Sequence, residues 1–198
     1  MIISMSNIIC ITNRNLCKED FLKRINTIAK ANPKAIVLRE KDLRQEEYFL
    51  LAGKIMTICN KYNVPFVMHS FYEAAVRLNC PYIHMPLNVL ESMPEGLKKR
   101  LKAIGASCHS VEDAIKAREL GCTYITAGHI FETDCKKGLP GRGLKFLEDV
   151  VNAVDIPVYA IGGINIKNYN DIKKTGAKGA CLMSSLMTSE NPEELINM

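Results

Sequence analysis

The sequence contains no tryptophan, and aromatic residues make up only 7% of its 198 residues. No stretch approaches the run of about 20 apolar residues that a membrane-spanning helix needs. Residues 1–7 lack the basic segment and apolar core of a signal peptide. The absence of a membrane-spanning run and of a signal peptide predicts a cytoplasmic protein that has no membrane partner.

The eight cysteines form neither a C-x-x-C pair nor a zinc-binding spacing. A disulfide framework is not expected in a chain of this size without a secretory signal. Cys10, Cys59 and Cys181 lie within apolar segments, so we expect reduced thiols that are mostly buried and act as small hydrophobic side chains.

The formal net charge of +5 is small, and the lysines and arginines are dispersed among acidic residues. Nucleic-acid binding usually shows itself as a basic run or a basic face, so no nucleic-acid partner is predicted. A basic pocket for a small anionic molecule accounts equally well for the excess of positive charge.

Short apolar segments alternate with segments of helical periodicity along the whole chain. Strands that alternate with helices pair in parallel, and strands that are apolar throughout are covered on both faces. The repeat of roughly 25 residues predicts an α/β fold, a closed (β/α)8 TIM barrel, with residues 1–198 forming a single domain. The predicted strands are residues 7–12, 35–39, 65–69, 82–85, 102–109, 123–128, 157–162 and 179–184, and the predicted helices are 18–31, 45–62, 71–78, 94–101, 111–120, 144–154, 166–175 and 192–197.

A doubly wound open sheet is the alternative fold. Its dinucleotide-binding form carries G-x-G-x-x-G after the first strand, whereas residues 11–15 read ITNRN here. The barrel is therefore the preferred prediction.

Polar residues gather where the predicted strands end, which is the active-site face of a TIM barrel. All four histidines, His69, His84, His109 and His129, fall at these ends. Imidazole is the side chain best suited to moving protons near neutral pH, although any single histidine can also be a hydrogen-bonded residue of the rim.

The glycine pair after strand 7 and the serine pair after strand 8 predict a phosphate site. Glycine lets an anion approach backbone N–H groups, and barrels commonly bind phosphate after strands 7 and 8. An ordinary tight turn, or a solvated loop for the basic residues, is the other interpretation. The phosphate candidates are Gly162, Gly163, Ser184 and Ser185, and the candidate cations for a substrate anion are Arg39, Lys41 and Lys136.

Three segments resemble the thiamine phosphate synthase superfamily, and the similarity covers nearly the whole chain. Residues 38–42 (LREKD) resemble its strand-2 motif, and residues 160–164 (AIGGI) its strand-7 segment. Residues 128–139 (GHIFETDCKKGL), followed by GRG at 141–143, resemble the strand-6 loop of the TenI branch, the thiazole tautomerases, almost letter for letter.

The sequence departs from the synthase pattern at its metal-binding positions. By this resemblance, a synthase has an Asn-Asp pair after strand 3 and an Asp after strand 4, whereas this chain has His69-Ser70 and Val89. Cys135 also replaces the second threonine of the strand-6 loop. Because Mg²⁺ prefers carboxylate and phosphate oxygens, weak or absent synthase activity is expected, and Mg²⁺ is a cofactor only under that alternative.

The resemblance to TenI implies a metal-free isomerase without a cofactor. Its substrate would be a phosphorylated thiazole carboxylate, the carboxylated dihydrothiazole phosphate, which proton transfer converts into the aromatic thiazole. His109 matches the family's catalytic histidine. A base that can also act as an acid contributes typically about 10²–10⁴-fold.

Three other functions remain open. They are thiamine phosphate synthase, a non-catalytic regulatory barrel, and zinc hydrolysis on the four histidines, which lacks the expected carboxylates. A homo-oligomer is also open, because the short final helix ends at Met198 and can leave an apolar patch for a second copy to cover.

Overall fold

In a computed structural model that describes residues 6–198, all eight predicted strands are present. They close into a barrel in the order β1-β2-β3-β4-β5-β6-β7-β8. The predicted (β/α)8 barrel is confirmed, and the doubly wound open sheet is wrong. The strands are β1 (Ile8–Ile11), β2 (Ala35–Leu38), β3 (Phe66–His69), β4 (Tyr82–Pro86), β5 (Ala103–Cys108), β6 (Tyr124–Gly128), β7 (Val158–Ile161) and β8 (Gly179–Leu182).

Ten α-helices lie within residues 6–198, and eight of them match predicted helical segments. The two that were not predicted, α4 and α9, have five residues each and lie in the connections that follow strands 4 and 8. The helices are α1 (Phe21–Lys30), α2 (Gln45–Lys61), α3 (Tyr72–Arg77), α4 (Leu87–Glu91), α5 (Glu95–Lys98), α6 (Val111–Glu119), α7 (Gly143–Ala153), α8 (Tyr169–Lys174), α9 (Ser184–Thr188) and α10 (Pro192–Ile196).

None of these helices, over residues 6–198, combines the length and the apolar character needed to span a bilayer. Residues 1–5, part of the segment in which no signal peptide is predicted, lie outside the described residues. The chain forms two compact units, one reaching up to Tyr82 and including Leu182–Met198, the other spanning Ile83–Cys181. A single domain over residues 1–198 stays a prediction.

In the first unit, β1, β2 and β3 pair in parallel, with Cys10 opposite Ile36 and Val37 opposite Val67. Tyr48 of α2 is fully buried against these strands. Its hydroxyl donates to the carbonyl oxygen of Leu38 at 2.7 Å and accepts from the backbone N–H of His69 at 2.9 Å. One side chain thus links the carboxyl ends of two neighbouring strands.

In the second unit, the four strands β5 to β8 pair in parallel. Alanines occupy paired positions in β6, β7 and β8. Ala127 lies opposite Ala160, and Ala160 lies opposite Ala180. All three alanines are fully buried. Their small volume matches continuous close packing, in which voids and overfilled sites both cost free energy.

The cysteines follow the prediction of reduced and mostly buried thiols. All eight are free; six are buried, Cys17 is half-buried and Cys135 is exposed. Burial raises the pKa values of Cys59, Cys108 and Cys122 to about 12, since the thiolate loses its hydration.

Candidate active site

His109 directly follows β5, and the start of α6 fixes its backbone. Its N–H donates to the Asp113 carboxylate at 2.7 Å. The N–H of Asp113 in turn donates to the hydroxyl of Ser110, the residue that caps α6, at 3.0 Å. This reciprocal arrangement resembles a capping box, displaced by one residue, and it satisfies N–H groups that a helix start leaves unpaired.

The imidazole of His109 is held by the end of the neighbouring strand. Its Nδ1 lies 2.9 Å from the carbonyl oxygen of Gly128, the last residue of β6. A carbonyl oxygen can only accept, so Nδ1 carries the proton, and Nε2 of the neutral ring keeps a lone pair. The residue is exposed. The arrangement therefore provides an oriented base that solvent can reach.

Gly162 and Gly163, which follow β7, both have positive φ angles, +101° and +67°. A Cβ at Gly162 would lie 2.3 Å from the Cβ of His129, and one at Gly163 would lie 2.4 Å from the carbonyl oxygen of Glu132. The loop after β6 reaches this turn through a hydrogen bond from Phe131 N–H to the carbonyl oxygen of Gly162, 3.1 Å long. Close packing thus explains the glycine pair, and phosphate binding stays a prediction.

Lys136 lies in the long loop after β6, in a 3-10 turn spanning Asp134–Lys136. The side chain of Thr133 caps this turn by accepting from the N–H of Cys135. Lys136 and Lys137 are exposed and line an open groove of about 490 Å³ together with other residues of the loop. The contact of Lys136 with a substrate anion stays a prediction.

The remaining predicted ligands belong to the first unit. Ser184 and Ser185 form the first turn of α9, directly after β8, and are exposed and half-buried respectively. Arg39 is half-buried and Lys41 is exposed, and both follow β2. The four residues thus stand where strands end, as the sequence predicts, but their contact with a ligand stays a prediction.

His84 of β4 is buried rather than exposed at a rim. Its Nδ1 lies 3.1 Å from the Tyr124 hydroxyl and its Nε2 lies 2.9 Å from the Ser107 hydroxyl. Gly105 leaves room for this pair of rings, because a Cβ there would lie 2.2 Å from Cζ of Tyr124. Burial lowers the pKa of His84 to about 4, so the ring is neutral at pH 7.

The titration of His84 predicts a loss of stability in acid. The ordinary pKa is 6.5 and the folded value about 4, so between these pH values the unfolded chain binds a proton that the folded chain does not. The free energy of unfolding should therefore fall by up to roughly 3 kcal/mol as the pH falls through this window. Urea unfolding at pH 7 and pH 4 measures this change. His84→Gln should have a smaller pH dependence, and an equal dependence in both proteins contradicts the assignment.

The main residues that the sequence analysis missed are Arg14 and Glu40. Glu40 is buried and accepts hydrogen bonds from the Thr12 hydroxyl at 2.6 Å and from the backbone N–H of Arg14 at 3.0 Å. The Arg14 guanidinium also binds Asp42 and, chiefly by this hydrogen bonding, lowers the pKa of that carboxyl to about 2. The signal was the polar run after the first strand, residues 12–15, together with the acidic residues within 38–42.

A magnesium site of the synthase type does not fit the side chains present. His69 is the last residue of β3, and Ser70 follows it. The Nδ1 atom of His69 lies 2.7 Å from the hydroxyl oxygen of Ser70, and Val89 lies in α4. None of these three supplies the carboxylate that Mg²⁺ prefers. Within residues 6–198, no group of three or more His, Cys, Asp or Glu side chains is placed to hold a metal ion.

The fold and the polar strand ends place this chain among the (β/α)8 barrel enzymes. A family model described as thiamine monophosphate synthase (TMP-TENI) matches residues 8–186. The chain belongs to this family, which is a family of thiamine biosynthesis.

Individual relatives agree with this assignment. The chain is 31% identical to a thiamine-phosphate synthase of Clostridium tetani over 186 residues, 91% of this chain and 88% of that protein. It is 32% identical to a putative thiamine-phosphate synthase 2 of Aquifex aeolicus over 180 residues, 89% of this chain and 95% of that protein. A thiamine phosphate pyrophosphorylase structure from Pyrococcus furiosus superposes with a TM-score of 0.81 at 28% identity, covering 96% of this chain and 91% of that one.

These names support the synthase, the alternative of the sequence analysis, better than the tautomerase. None of the relatives reported above is named as an isomerase. The distinction between the two activities therefore depends on the side chains of this chain and on experiment.

Proposed function

We propose that this protein is a thiazole tautomerase, an isomerase that aromatises a carboxylated dihydrothiazole phosphate by proton transfer at His109. The observation that carries the proposal is the hydrogen bond from His109 Nδ1 to the carbonyl oxygen of Gly128. It orients the ring and leaves Nε2 to exchange a proton with a substrate. No other group of the site is required to change its charge.

The proposed reaction moves one proton from one carbon of the substrate to another and consumes none. Nε2 takes the proton from the ring carbon that bears the carboxylate, and the electron pair of that C–H bond shifts through the ring toward the exocyclic double bond. The imidazolium then returns a proton to the exocyclic carbon, which restores neutral His109. The product is the aromatic thiazole, so the step is downhill, and a general acid–base contribution of about 10²–10⁴-fold is sufficient.

The proposed binding groups hold the two anionic ends of the substrate. Backbone N–H groups and hydroxyls would bind the phosphate, and the basic side chains would bind the carboxylate or share the phosphate. Charge-assisted hydrogen bonds of this kind are roughly twice as strong as neutral ones. The phosphate group is assigned to Gly162, Gly163, Ser184 and Ser185, and the cations are Arg39, Lys41 and Lys136.

Thiamine-phosphate synthase is the second candidate, and the names of the relatives favour it. That reaction joins a pyrimidine pyrophosphate to a thiazole phosphate and depends on Mg²⁺. The donor chemistry of His69, Ser70 and Val89 argues against it, because none of them provides a carboxylate.

One pair of assays separates the candidates. Purified protein in EDTA should convert the carboxylated dihydrothiazole phosphate into a product with aromatic thiazole absorbance, faster than buffer alone. The same protein with Mg²⁺, pyrimidine pyrophosphate and thiazole phosphate should release pyrophosphate slowly or not at all. Rapid coupling without isomerisation establishes the synthase and contradicts the proposal, and binding of the thiazole phosphates without either reaction indicates a regulatory barrel.

A further inference from the structure

The segment that carries Arg39 and Lys41 is anchored by a buried carboxylate. The side chain of Glu40 is 1% exposed, and its Oε1 accepts from the Thr12 hydroxyl at 2.6 Å and from Arg14 N–H at 3.0 Å. The other oxygen, Oε2, accepts from Arg14 Nη1 at 3.1 Å. A buried charge is costly unless it is paired and hydrogen-bonded, so this set of donors determines where Glu40 can lie.

Arg14 extends the anchor to the far side of Lys41. Its Nη1 and Nη2 each lie 2.7 Å from one oxygen of Asp42. This is a bidentate ion pair, which fixes the relative orientation of the two side chains. One guanidinium from the loop after β1 therefore contacts the residue before Lys41 and the residue after it.

Thr12 completes the connection to Arg39. Because the Thr12 hydroxyl donates to Glu40, its oxygen is available to accept, and it does so from the backbone N–H of Arg39 at 3.0 Å. The segment is thereby held on both sides of Glu40, at the backbone N–H of Arg39 through Thr12 and at the side chain of Asp42 through Arg14. The two basic residues thus belong to a segment whose path is set by buried and paired groups.

We infer that Glu40 is a positioning residue, which acts through Arg39 and Lys41 to place their positive charges for an anionic substrate group. The inference rests on the proposed function, because that proposal makes Arg39 and Lys41 the cations of the site. Glu40 itself, buried beneath its donors, makes no contact with substrate in this role. A misplacement of about 1 Å in such a group is enough to weaken binding and turnover strongly.

The test is the affinity of the full chain for inorganic pyrophosphate and inorganic phosphate, measured by titration calorimetry. Glu40→Gln, which keeps the side-chain shape but removes the charge that holds Arg14, should weaken anion binding by about tenfold. The matched control is Glu47→Gln, which removes an exposed carboxylate paired with Arg44 at the start of α2. The control should bind both anions as the unchanged protein does.

A variant that lacks Arg39 and Lys41 shows whether Glu40 acts by positioning these two cations or has a merely structural role. In Arg39→Ala/Lys41→Ala, the further change Glu40→Gln should alter anion affinity by less than twofold, because the groups it positions are gone. An equal loss in both backgrounds overturns the inference, as does an unchanged affinity in folded Glu40→Gln. If that variant does not fold, Asp42→Asn decides, since Asp42 is exposed; it should weaken binding about threefold, and no change overturns the inference.

Anion binding also separates this inference from the proposed function. If isomerisation is absent but Glu40→Gln weakens pyrophosphate binding only where Arg39 and Lys41 are present, the positioning role stands and the tautomerase fails. If isomerisation is present, the same variant should raise KM for the phosphorylated substrate more than it lowers kcat. A loss confined to kcat contradicts positioning for binding.

Discussion

His109→Ala should slow aromatisation of the carboxylated dihydrothiazole phosphate by about 10²–10⁴-fold in kcat. The physical reason is that the variant removes the oriented Nε2, whose partner nitrogen is held by the carbonyl oxygen of Gly128. Affinity for inorganic phosphate should change by less than about twofold, because a phosphate held by backbone and hydroxyl groups does not use the imidazole. Steady-state absorbance assays and phosphate calorimetry measure the two effects.

The matched control is His129→Asn, which removes a second imidazole, at the start of the loop after β6. The ring of His129 lies 3.3 Å from the carbonyl oxygen of Leu139 and has no part in the proposed proton transfer. That variant should keep its rate within about threefold, a change of under 1 kcal/mol in the barrier. Added imidazole should partly restore His109→Ala, and a rate unaffected by His109→Ala removes this residue from its role.

Gly162→Ala is the second change with a large expected effect, a loss of about 3–5 kcal/mol in the free energy of unfolding. Two costs add at this position. A side chain at φ +101° is strained, and the new Cβ would lie 2.3 Å from Cβ and 2.8 Å from Cα of His129. Because Cα belongs to the backbone, the loop itself would have to move. Urea unfolding followed by circular dichroism measures the loss.

Gly121→Ala is the matched control for conformational strain without collision. Gly121 follows α6 with φ +88°, and a Cβ there meets no atom within 4 Å. Its expected cost is only about 1 kcal/mol, from the left-handed conformation. Equal losses in the two variants would show that strain alone, and not the packing of residues 129–132, requires glycine after β7.

The names of the relatives favour the synthase, whereas the side chains at the strand ends of this chain favour the tautomerase. A shared barrel fold is compatible with this difference. One barrel supports many reactions, since the side chains at the strand ends can change while the strands stay. In this chain Ser70 and Val89 stand at the two positions expected to carry synthase carboxylates, and His69 stands where the resemblance implies asparagine. A proton-transfer reaction needs none of those carboxylates, whereas departure of pyrophosphate depends on a bound divalent cation.

The strands were predictable because each is an apolar segment covered on both faces, and such segments differ from the polar loops around them. Their ends were less certain. The prediction extended the fifth strand through residue 109, whereas β5 ends at Cys108 and places His109 on the connection to α6. The short helices α4 and α9 were missed because each adds only five residues directly beyond a strand end, whereas the similarly short α5 and α10 lie within longer predicted helical segments.

The sequence by itself determined the order of the strands, the barrel class and the polar residues that end each strand, because local patterns of apolar and polar residues encode burial. The tertiary structure alone decided which nitrogen of His109 is free, why Gly162 must be glycine and that His84 is buried. Each of these depends on a partner distant in the chain, such as Gly128 for His109, His129 for Gly162 and Tyr124 for His84. Such partners meet only through the register of the strands in the barrel, which no local pattern specifies.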